Sequence, residues 1–149
     1  MKTGEYLLWK CGEHLFGLEL AECQEIVNGV SVTRLPRAPH YVRGLANLRG
    51  NVISIIDLEV LLGYKERPVF NEKASIIRIR TSGYPLAVVA ESIRDTIFLG
   101  EKELEATPAN LNESETSYIS KVAKTGDGLV LIPDLALIAR NINENHKTR

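Results

Sequence analysis

Two cysteines, one methionine and one tryptophan are all that 149 residues contain of these types. Cys11 and Cys23 form neither a CxxC pair nor a framework of bridges, which excludes a disulfide scaffold and points to a reducing cytoplasm. Both cysteines read as small buried hydrophobes. Aromatic residues make up 6% of the chain, too few for a base-stacking face. An excess of one charge is also missing: 18 Lys and Arg oppose 19 Asp and Glu, for a net charge of -1. A protein that neutralises many phosphates needs a basic surplus or a basic face, so nucleic acid is not an expected partner. Long apolar runs are absent too. The longest uncharged stretch, Thr81 to Ala90, is half a membrane span and contains Gly83 and Pro85. The opening residues Met1 to Glu5 lack the apolar segment of a signal peptide. Direct insertion into a membrane is therefore not expected.

Catalytic signatures are missing as well. No P-loop, GxGxxG, GxSxG or HExxH occurs. His14, His40 and His146 stand at no recognisable ligand spacing and read as surface polar residues. Asp57 and Asp134 each precede a short apolar helical pattern, so N-capping is a better reading than acid–base work. Ser54 has no base nearby in sequence. The chain reads as a non-enzyme without cofactor or metal.

What is present is 44% hydrophobic and 25% charged residues, ordinary globular values. Short β-branched and aliphatic runs alternate with Gly, Pro and Asn. Strands are expected at 5–11 and 15–20 around the turn 12–14, at 30–35, and at 41–48 and 52–56 around the turn Arg49-Gly50-Asn51. Residues 21–27 suit one or two helical turns, because Leu20, Cys23 and Val27 follow i, i+3, i+7, and Asn28-Gly29 then breaks the element. Asp57 caps a short helix over 58–62, which Gly63 ends. A polar connector, 64–73, follows. The second half gives strands at 74–81 and 86–91 around the turn 82–85, a short strand at 96–99 and an irregular polar stretch at 100–117. A hairpin over 118–132 and a helix over 135–140 complete it. The remainder reads as frayed.

The halves resemble each other. Moving residue n onto n+70 superimposes Leu7, Trp9, Leu18 and Leu20 on Ile77, Ile79, Val88 and Ala90, and Cys23 and Glu25 on Ile93 and Asp95. Moving n onto n+77 superimposes Asp57-Leu58 on Asp134-Leu135 and Val60-Leu61 on Leu137-Ile138. This pattern suggests an internal duplication. About five strands per copy close most easily into a small barrel, which removes exposed edges. Copies this small need each other's cores.

The segment Leu35 to Gly63 stands out. Gly44 and Gly50 permit close backbone approach or positive φ. Arg49 lies at the tip between two apolar strands, either a solvated turn residue or a fork offered to a carboxylate.

This segment resembles the CheW family of chemotaxis adaptor proteins. The resemblance rests on Pro36, Pro39, Tyr41-Val42, Gly44, Asn47-Leu48-Arg49-Gly50, Val52 to Ile56 and Asp57-Leu58. Phe16 to Leu20 and Gln24-Glu25-Ile26 look like the family's first strand and short helix. Residues 118–132 with Asp134-Leu135 are similar to its closing hairpin. The resemblance implies an all-β fold of two intertwined five-stranded SH3-like barrels within a single domain, residues 1–143. The first barrel would span 14–67, the second would combine 1–13 with 68–142, and 144–149 would form a flexible tail. It implies a non-enzymatic, cytoplasmic adaptor that joins the signalling tip of a chemoreceptor to a CheA-type histidine kinase. Matching receptor-binding positions are Glu25 and Arg49, with Asn47 beside them and Gly44 and Gly50 shaping the backbone. Kinase binding in the family uses the first barrel. Without a receiver segment, the chain resembles the stand-alone adaptor. Ser54 replaces a common proline, Ala46 a bulkier aliphatic, and Ala87 and Glu91 a usual glycine and aspartate. These departures point to a divergent partner, such as a system for surface motility. A small-ligand-binding barrel or hydrolase is the rival class and would need a concave polar pocket.

Overall fold

The computed structural model describes residues 3–66, 73–81, 84–106 and 111–147. The strands are β1 (Thr3–Cys11), β2 (His14–Glu19), β3 (Cys23–Ser31), β4 (Val42–Leu48), β5 (Asn51–Ile56), β6 (Lys73–Ile79), β7 (Leu86–Val89), β8 (Ser92–Gly100), β9 (Leu104–Ala106), β10 (Ile119–Thr125) and β11 (Gly128–Pro133). The helices are α1 (Leu58–Leu61), α2 (Glu113–Tyr118) and α3 (Leu135–Lys147).

The strands form two curled, SH3-like sheets. One runs β3-β6-β7-β5-β4 and the other β8-β1-β2-β11-β10-β9. The repeat maps β1, β2, β3, β4 and β5 onto β6, β7, β8, β10 and β11. Under that map the two orders coincide, with β9 added at one edge. Each copy has therefore given its first hairpin to the other barrel. This differs from the expected boundaries: β2 sits with β1 in the second barrel, while β6 and β7 belong to the first. The reason is pairing. β6 bonds to β3 and β7 runs parallel to β5, just as β1 bonds to β8 and β2 runs parallel to β11.

Both barrels close. After β3, the Thr33 N–H donates to the Leu45 carbonyl and the Leu45 N–H to that of Thr33, both at 2.7 Å. In the second barrel β9 follows β8 through a turn and pairs with β10. Gly44 makes the first closure possible, since a Cβ there would run into the Thr33 carbonyl.

Alternation explains the core. Ile53, Ile55, Ile76, Ala87 and Val89 fill the first barrel, and Tyr6, Leu8, Leu99, Val130 and Ile132 fill the second. Opposite faces of the same strands supply Leu7, Trp9, Ile56, Ile77, Val88 and Leu131 to a third, larger cluster between the barrels. Strands buried on both faces read as continuous apolar runs, which is why 52–56 and 86–90 are so hydrophobic. The exchanged hairpins fuse three cores that neither copy could fill alone.

Several local expectations change. The helical turns expected over 21–27 shrink to a 3-10 turn, Leu20–Glu22, and the rest is β3. Pairing with β6 overrides the helical spacing, and Asn28-Gly29 is absorbed as a bulge between Val27 and Val30 rather than ending the element. The short strand at 96–99 is the nine-residue β8, and the irregular stretch contains β9 and α2. The last helix runs past 140 to Lys147, so 144–147 continue α3 where a tail was expected. Ile138, Ala139 and Ile142 bury against the central cluster and hold it there. Residues 67–72, 82–83 and 148–149, which include part of the expected connector and turn, lie outside the described residues.

Asp57 and Asp134 do cap helices. The Asp57 Oδ1 accepts from the Glu59 and Val60 N–H groups, and the Asp134 Oδ1 from Leu137 N–H. Cys11 is buried, Cys23 half-buried, and both are free thiols.

Candidate functional site

Residues 48–51 form a two-residue hairpin turn. Arg49 and Gly50 take φ of 54° and 86°, and Leu48 pairs with Asn51. Positive φ at both central positions is the type I′ signature that matches strand twist. The second position suits glycine; the first holds an arginine at a conformational cost. Asn47 steadies the turn, its Oδ1 accepting from Gly50 N–H at 2.9 Å.

The turn carries Arg49 to Glu25 on β3. Arg49 Nη1 lies 2.6 Å from Glu25 Oε2. Arg78, from the exchanged strand β6, donates to the other oxygen at 3.4 Å. One carboxylate therefore takes two guanidiniums, and the Arg49 hydrogen bond leads in holding the Glu25 carboxyl below its ordinary range. The two arginines differ in exposure. Arg78 is 13% exposed, while Arg49 is 77% exposed, so its fork faces solvent although one nitrogen is engaged. Ile26 and Val52, at 41% and 56% exposure, stand on the strands beside this tip.

Glu25, Arg49, Gly50 and Asn47 thus meet at one end of the first barrel. Gly44 does not join them; it sits at the closing seam with Thr33. Arg78 was not singled out in the sequence, because only the exchange of hairpins brings β6 beside β3. The repeat shows how specific the apex is. Asp95, Leu8 and Gly126 stand at the corresponding sequence positions of the other copy, so neither arginine has a cationic counterpart in the repeat.

Elsewhere, Ser54 Oγ donates to the Tyr84 hydroxyl at 3.0 Å. His14 is more than a surface turn residue. Its ring stacks on Tyr64 at 3.8 Å, and its Nδ1 lies 3.5 Å from the buried Glu59. Among the described residues no group of three His, Cys, Asp or Glu side chains could hold a metal. No helix there is long and apolar enough to cross a membrane.

Residues 5–143 match the family model of the CheW-like domain. The chain belongs to the CheW-like domain family. It is 24% identical to the chemotaxis protein CheW of Klebsiella aerogenes over 131 residues, covering 88% of this chain and 78% of that protein. Against the Thermotoga maritima chemotaxis protein CheW it is 24% identical over 144 residues, covering 95% and 91%. The crystal structure of the scaffolding protein TtCheW from Thermoanaerobacter tengcongensis superimposes with a TM-score of 0.78 at 26% identity, covering 92% of each chain. CheW-like proteins are non-enzymatic chemotaxis scaffolds, and this chain is an adaptor of that kind.

Proposed function

We propose that this CheW-like chain acts in the cytoplasm, coupling the signalling tip of a chemoreceptor to a CheA-type histidine kinase, with the Glu25–Arg49 apex facing the receptor. The observation that supports the reading is the state of Arg49. A guanidinium 77% exposed on a strained turn contributes little to folding. Held by Glu25, it is already oriented, so a partner loses less entropy in meeting it. Ile26 and Val52 supply desolvation beside it, and the charges select partner and orientation. Asn47 and Gly50 hold the turn, and Gly44 holds the strand beneath. Modest affinity at each surface suffices where many copies act together.

Co-purification tests the reading. The wild-type chain is mixed with a CheA-type kinase and with a chemoreceptor cytoplasmic fragment, and both are expected to be captured. Arg49→Ala should lose the receptor fragment while the kinase is retained. Capture of neither partner by the wild type overturns the coupling reading. Unchanged capture of the receptor by Arg49→Ala overturns the site.

A further inference from the structure

The two copies match closely at the start of their closing helices. In the first copy a bulge at Arg43 separates the pairs Val42–Ile56 and Gly44–Ile55. In the second a bulge at Ser120 separates Ile119–Pro133 and Lys121–Ile132, 77 residues on in every case. The Asp57 N–H donates to the Tyr41 carbonyl at 2.8 Å, and the Asp134 N–H to that of Tyr118 at 2.8 Å. Arg43 and Ser120 are therefore equivalent, as are Asp57 and Asp134.

Their side chains are not. Arg43 is buried, and its Nη2 lies 3.1 Å from Asp57 Oδ2. Asp57 so divides its carboxylate: Oδ1 caps α1, and Oδ2 receives a guanidinium. Asp134 Oδ1 likewise caps α3, but Ser120 is too short to reach the other oxygen and instead donates to the Ile132 carbonyl at 3.0 Å. Among the described residues nothing donates to Asp134 Oδ2. Ser120 and Asp134 instead line a cavity of about 210 Å³, together with Tyr6, Glu19, Glu22 and Lys121 among others. Three carboxylates face one lysine. Burial, then Glu19, then Asp134 push the Glu22 carboxyl upward, as expected where negative charge lacks a counterion.

We infer that this cavity on the second barrel is a receptor for an arginine side chain of a protein partner, which supplies to Asp134 the guanidinium that Arg43 supplies to Asp57. The planar fork can bond Asp134 Oδ2 and the carboxylates of Glu19 or Glu22 together, which an ammonium cannot do with the same geometry. An arginine within a chain fits better than the free amino acid, whose own carboxylate meets an acidic rim. The inference stands on the repeat geometry and not on the coupling reading, so either can fail alone.

The test is an NMR titration of the whole chain with N-acetyl-arginine amide, N-acetyl-lysine amide and free arginine. The expected result is saturable shifts at the amides of Ser120, Lys121 and Leu135, with affinity on the order of millimolar for one side chain. Lysine amide and free arginine should bind several-fold more weakly, and Asp134→Asn, which still caps the helix, at least tenfold more weakly. Ser120→Arg should abolish the shifts by filling the cavity from within. It should also raise the melting temperature above that of Ser120→Met, a gain lost in the Asp134→Asn background. Shifts that persist in Ser120→Arg, affinity that is unchanged in Asp134→Asn, or shifts that follow all three probes alike overturn the inference. Tighter binding of free arginine than of the capped form overturns the assignment to a partner's side chain.

Discussion

Arg49 reaches Glu25 from a left-handed backbone: its φ is 54° and its Nη1 lies 2.6 Å from Glu25 Oε2, across 24 residues of sequence. Replacing Arg49 by Ala removes an exposed ion pair and relieves none of the core. The melting temperature should stay within about 2 °C of wild type, because exposed pairs contribute little.

The same pair sets a pH dependence. Arg49 holds the Glu25 carboxyl below its ordinary 4.5, so the folded pKa lies under the unfolded one. The pair's contribution is then fully present above the ordinary carboxylate range and is lost as pH falls through the lowered value. A carboxyl-carbon NMR titration should show Glu25 titrating at lower pH than exposed glutamates, and closer to them in Arg49→Ala. An equal midpoint in both proteins would contradict the arrangement.

Gly44 and Gly50 should respond differently to alanine. At Gly50 nothing lies within 4 Å of the place an alanine methyl would take, and only the φ of 86° opposes the change, at about 1 kcal/mol. At Gly44 the methyl meets the Thr33 carbonyl, which accepts from the Leu45 N–H at 2.7 Å. Gly44→Ala should cost more than roughly 2 kcal/mol in urea unfolding and open the Thr33–Leu45 seam to hydrogen exchange.

Arg43 and Asp57 form a buried pair at 3.1 Å, both side chains 5% exposed. Arg43→Met leaves the Asp57 carboxylate without its cation and should cost about 3–5 kcal/mol by chemical denaturation. A loss under about 1 kcal/mol would show that the pair is dispensable.

Burial pushes the Cys11 thiol up to about 12, and burial also raises the half-buried Cys23 thiol. At pH 8 iodoacetamide should therefore modify Cys23 slowly and Cys11 only on unfolding. Mass spectrometry after brief labelling distinguishes them; equal modification in the native state would exclude a closed central core.

Much of this was legible in the residues. Alternating apolar runs gave the strands on either side of Arg49-Gly50, aspartates before apolar pairs gave the caps, and a 70-residue and a 77-residue shift revealed the repeat. Arg49 stands out at its turn tip from the residues alone, as a solvated turn residue or a fork for a carboxylate, whereas Glu25 was legible only through the family resemblance. β3 was misread because the Leu20, Cys23 and Val27 spacing is helical in isolation, whereas its partner β6 lies some fifty residues away.

The sequence by itself determined the local elements, the duplicated plan and the absence of catalytic signatures, because turns, caps and periodicity act between near neighbours. Tertiary structure alone decided that the copies exchange their first hairpins, that Arg78 joins Arg49 on Glu25, and that Asp134 faces a cavity where Asp57 faces an arginine. Each of these depends on which strands pair across long separations. That choice is made by burying three apolar clusters at once, a condition no local window of the sequence contains.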